Sequence, residues 1–102
     1  MPYGSWINEL PTSFFLAVHI AAFTIGASFA WFAFKREQPL LGVAFSLFGA
    51  AELVYMTYHL DWTVFLFAHT IAEVLDLAAF VLVFAGAVVT VVRRPALEAT
   101  AR

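Results

Sequence analysis

The sequence predicts an all-α integral membrane protein with three transmembrane helices in an up-down-up bundle. Three observations carry that expectation. The first is composition: 64% of the 102 residues are hydrophobic and only 12% are charged, with a mean hydropathy of +0.92. A water-soluble domain is nearer 45–50% apolar and about 25% charged. A chain this small has too little interior to hide so much apolar side chain from water. The second is segmentation into three apolar stretches, at 12–34, 40–60 and 62–92. A bilayer core takes roughly 20 helical residues. The third is the placement of the five basic residues, Lys35, Arg36, Arg93, Arg94 and Arg102. With three spans all five fall on one side, and the other side keeps only Glu9 and Asp61. That is the positive-inside asymmetry, and it places the N-terminus outside and the C-terminus inside.

The elements follow in order. Residues 1–11, MPYGSWINELP, form an interfacial segment in which Tyr3 and Trp6 anchor at the headgroups and Pro11 ends the run. Residues 12–34 form the first span. No Lys or Arg precedes Lys35, so this span lacks the charged start of a cleavable signal and is read as a retained helix. The stretch KREQP at 35–39 breaks it: charge ends one helix, and a proline suits the first turn of the next. Residues 40–60 form the second span. His59-Leu60-Asp61 allows only a tight hairpin, with Asp61 placed to cap the third helix. Residues 62–92 form the third span, which at 1.5 Å per residue is about 46 Å long. That exceeds the hydrocarbon thickness, so it should tilt or project outward. Residues 93–102 are expected to be a polar, frayed cytoplasmic tail.

Six ionisable groups lie within or beside these spans: His19, Glu52, His59, His69, Glu73 and Asp76. Charge at membrane depth costs a few kcal/mol per residue on insertion scales of about 2.5–3.5. Such groups therefore face protein or water rather than lipid. Counting back from the basic anchors puts His19 about 24 Å outward, Glu52 about 20 Å, His59 about 30 Å, Asp76 about 25 Å, Glu73 about 30 Å and His69 about 36 Å. All six fall in the outer half, and every helix contributes. The faces agree as well. Glu52 and His59 share one face of the second helix, and His69, Glu73 and Asp76 share one face of the third. His19 lies with Gly26 and Ala30 on a face made smooth for close helix approach. Small residues also step along the second helix at Gly42, Ser46 and Ala50. A polar cavity open to the outside is expected where the three faces meet.

Histidine and carboxylate together suit a divalent transition metal ion, and inward Glu and His on facing helices are a usual way to hold one. The familiar Glu-x-x-His spacing is missing, however; His-x-x-x-Glu and Glu-x6-His stand in its place. The same groups suit proton relay. The best functional reading is an outer-half site that binds a divalent metal ion or relays protons, in an oligomer. The alternative is a structural accessory subunit of a larger membrane complex, such as a respiratory one, its polar groups serving as interhelical hydrogen bonds. A haem b carrier using His19 with His59 or His69 ranks third, because neighbouring carboxylates do not suit a porphyrin pocket. The expected partners are the lipid bilayer and either a second copy or a larger membrane protein, in the plasma membrane.

Other classes are excluded. No basic run points to nucleic acid. The absence of cysteine removes disulfides, thiolate metal sites and thioether-linked haem. No serine adjoins a histidine–acid pair and no glycine-rich phosphate loop is present, so the chain is not expected to be an enzyme.

Overall fold

The computed structural model describes residues 3–101. A short 3₁₀ turn, Ser5–Glu9, is followed by three helices: α1 (Thr12–Lys35), α2 (Pro39–His59) and α3 (Phe65–Ala101). Each is long and apolar enough to cross a membrane, α3 over Phe65–Arg94.

The turns end as their residues allow. After α1, Glu37 is left-handed at φ 59, and the Gln38 N–H bonds back to the Ala33 carbonyl at 2.9 Å. After α2, Asp61 is left-handed at φ 61, and the Trp62 N–H reaches the Thr57 carbonyl at 2.9 Å. Both are the six-to-one closure that satisfies the last carbonyls of a helix. Asp61 therefore closes α2 instead of capping α3, as the sequence reading had it. Left-handed backbone at Asp61 and the bend that follows push the start of α3 to Phe65. Pro39 sits in the first turn of α2, as expected.

The middle helix, α2, packs on both α1 and α3, whereas α1 and α3 do not pack on each other among the described residues. Contacts place the ends. The Phe15 ring stacks on His59, and the Phe34 ring lies over Gly42. Tyr58 meets Phe65, and Gly86 faces Leu40. Past Gly86, α3 continues to Ala101 beyond the first turn of α2, by about 22 Å at 1.5 Å per residue. The surplus length thus lies at the end that carries Lys35, Arg36 and Arg93, not at the outer end where it was expected, and the expected tail from residue 93 continues as helix.

The core consists of small residues. Gly26, Ala30 and Ala33 are buried on α1; Gly42, Ala44, Gly49 and Ala51 on α2; Ala68, Ala72 and Ala79 on α3. No large side chain is fully buried among the described residues, while Ile25, Phe29, Leu77, Phe80 and Phe84 point outward. A water-soluble core has the opposite arrangement. Lipid is as apolar as leucine, so helices in it associate through close backbone approach rather than apolar burial. Of the expected α2 seam, Gly42 is buried; the rest of the interface runs through Gly49 towards α1 and through Ala44 and Ala51.

Candidate functional site

The polar groups meet around the end of α2 that adjoins α3. His19 from α1 and Glu52 from α2 form the tightest contact: Nδ1 to Oε2 is 2.5 Å. Both side chains are mostly buried, 16% and 14% exposed. With the carboxylate ionised, His19 donates through Nδ1–H. With the proton on the carboxyl, Glu52 donates to a neutral imidazole. Either way the pair is compact, and burial strengthens the bond by lowering the local dielectric.

Aromatic rings fix the imidazole in place. His19 stacks on Tyr55, centroids 5.3 Å apart and planes 14° from parallel. On another side His59 approaches at 5.2 Å with a 31° tilt, itself stacked on Phe15 at 4.8 Å and 3°. The helical phase explains this grouping. Glu52, Tyr55 and His59 sit at i, i+3 and i+7, on one face of α2.

The α3 groups form a second, looser set. The Tyr55 hydroxyl donates to Glu73 Oε1 at 3.4 Å and lies 3.5 Å from His69 Nδ1. Those distances are at the long edge of hydrogen bonding, where energy falls steeply. His69 stacks on Phe65 at 5.2 Å. Glu73 is exposed. Asp76 has a buried Oδ1 with no hydrogen-bond partner among the described residues.

The six expected residues divide. His19, Glu52 and His59 are brought together between α1 and α2. His69 and Glu73 join them only through Tyr55, and Asp76 stands alone. The expected cavity, shared by all three helices and lined by the six, is not what the structure presents around Asp76. There, an apolar groove of about 400 Å³ runs between Ile25 and Phe29 of α1, Phe48 of α2 and Phe80 of α3, and Asp76 is its one ionisable group.

Tyr55 is the residue that sequence reasoning undervalued. It lies between Glu52 and His59 in the sequence, stacks on His19 and comes within 3.5 Å of His69 Nδ1. Its signal was available in the three-residue step from Glu52.

The metal expectation finds two donors, His19 and Glu52, bonded to each other. A protein site for a transition ion commonly supplies three or four. Among the described residues no three His, Asp or Glu side chains are grouped to hold an ion. The His19 and His59 rings are in near contact, so no porphyrin fits between them. Comparison with protein-family models, curated proteins and solved structures finds no match.

Proposed function

We propose that this chain is a membrane protein that holds and relays protons at a site in its outer half, centred on His19 and Glu52. In this reading the three helices form an up-down-up bundle with the N-terminus outside and the C-terminus inside, in the plasma membrane. The observation that carries it is the 2.5 Å contact between the two side chains at membrane depth. A histidine and a carboxylate with one proton between them are neutral overall wherever the proton sits. The pair therefore avoids the cost of a lone buried charge. It can gain or lose a proton by passing through forms of modest energy, with His59 and Tyr55 packed against the imidazole as neighbours on the way to the outside. The metal-binding version of the same site has less support, because its donor set lacks a third member.

The relay is short. The inner halves of the helices offer hydroxyls such as Ser28, Ser46 and Thr90 but no ionisable group short of the basic end, and the Ser46 and Thr90 hydroxyls donate to the Gly42 and Gly86 carbonyls at 2.8 and 2.9 Å. A path through the membrane needs a second copy or a larger partner. A specific observation favours such a neighbour: the buried Asp76 Oδ1 lacks a donor among the described residues. Unsatisfied polar groups in hydrocarbon cost several kcal/mol. An accessory-subunit role is the second reading on this ground.

The test is infrared difference spectroscopy on protein reconstituted in vesicles while the external pH is stepped. A protonated-carboxyl band that changes with pH, vanishes in Glu52→Gln and shifts in His19→Gln is the expected result. A spectrum in which no carboxyl band depends on Glu52 refutes the proposal.

A further inference from the structure

A second cavity lies at the opposite end of the molecule from the His19–Glu52 pair. It has a volume of about 470 Å³ and sits between the α1–α2 turn and α3. Arg36 enters it from the turn and Arg93 from α3, and neither is in an ion pair among the described residues. Gln38 and Thr90 add polar atoms, and Leu40, Leu41 and Val89 make the apolar part. Glu37 is the one acid on the rim.

The backbone adds to the positive charge. Gln38 gives no side-chain cap to α2, and Pro39 has no N–H to offer. The Leu40 and Leu41 N–H groups have no acceptor within the helix, as in every helix first turn. They lie at the positive end of the α2 dipole, beside the two guanidiniums. Four cations, Lys35, Arg36, Arg93 and Arg94, lie at this end of the sequence, against two acids, Glu37 and, further along α3, Glu98.

We propose that this cavity is a binding site for the headgroup of an anionic phospholipid. The chemistry is that of a phosphodiester: Arg36 and Arg93 bind its oxygens, in the bidentate manner guanidinium favours. The apolar wall of Leu41 and Val89 receives the start of the acyl chains. A basic pocket between transmembrane helices at the level of a polar turn is where such lipids are recognised. Lipid is favoured over free phosphate because polar and apolar walls meet in one cavity that opens beside the membrane-spanning surface. Lys35 takes no part, because its ammonium lies over the Trp31 ring, 5.4 Å from the centroid.

The test is thermal unfolding of the full chain in mild detergent, with added short-chain phosphatidylglycerol, phosphatidylcholine or inorganic phosphate. Phosphatidylglycerol is expected to raise Tm by about 4 °C or more at saturation, and the other two are not. Arg36→Gln and Arg93→Gln should each lose that shift, while Lys35→Gln, which removes the same charge outside the cavity, should keep it. Val89→Trp fills the apolar wall with both arginines in place and should also lose it, so the test survives if an arginine variant fails to fold. Equal shifts with phosphatidylcholine overturn the proposal. So does an equal shift with phosphate, which would make the site one for the free anion. Equal losses in all three charge variants would mean surface charge alone, and overturn it too.

Discussion

Glu37 and Asp61 occupy the same position after two different helices, and they differ in how well they suit it. A left-handed backbone costs an L-residue roughly 1–2 kcal/mol. Aspartate offsets part of that by local hydrogen bonding; glutamate, one methylene longer, does so less well. Replacing Glu37 by glycine should therefore stabilise the protein by about 1 kcal/mol, and Asp61→Gly by less. Reversible unfolding in mixed detergent with increasing sodium dodecyl sulfate measures both. A loss of stability in Glu37→Gly would mean that its carboxylate matters more than its backbone. These positions also show what the sequence hides at this scale. Charge and hydropathy point to both turns, but the type of turn depends on backbone hydrogen bonds, and Asp61 reads equally well as the end of one helix or the start of another.

At the scale of the helix, the interfaces depend on how close two backbones come. A Cβ added at Gly26 would meet the Phe48 ring at 2.8 Å and the Phe45 carbonyl oxygen at 3.3 Å. The ring can shift but the backbone oxygen cannot easily, so Gly26→Val should cost about 1–3 kcal/mol through overpacking of α1 on α2. At Gly49 the nearest atom, from the Phe23 ring, is 3.4 Å away, an ordinary contact. Gly49→Ala should be neutral or stabilising by up to about 1 kcal/mol, because alanine favours the helix. The same unfolding assay ranks the two, and a reversed order would contradict the packing described here. The three helices were legible from length and charge because the bilayer sets both. The α1 seam was legible from Gly26 and Ala30, spaced four apart. The α2 seam was only half legible. Ser46 keeps the spacing of Gly42, but its hydroxyl donates to the Gly42 carbonyl at 2.8 Å. A helix flanked on two sides needs two seams, and a single four-residue step reveals one.

For the molecule as a whole, the polar groups were legible as a set and not as a network. Periodicity placed Glu52 and His59 on one face, and His69, Glu73 and Asp76 on another, but it carries no distances. It could not show that His19 pairs with Glu52 while Asp76 Oδ1 has no donor among the described residues. The orientation rests on the basic end, and the absence of cysteine makes that testable. Ser5→Cys and Asp61→Cys should react with a membrane-impermeant maleimide added outside intact cells, and Glu37→Cys only after lysis; the reverse pattern would invert the topology. The site itself is tested most directly by a double-mutant cycle on His19 and Glu52, with unfolding free energy measured for wild type, His19→Gln, Glu52→Gln and the double variant across a pH series. A proton-sharing pair predicts a coupling of about 1.5 kcal/mol or more, largest where one proton lies between the two groups and falling as acid protonates the carboxylate while the imidazole is charged. A coupling at or below the average of about 0.6 kcal/mol for polar contacts between membrane helices, and flat with pH, would contradict the account and leave His19 and Glu52 as helix-packing contacts.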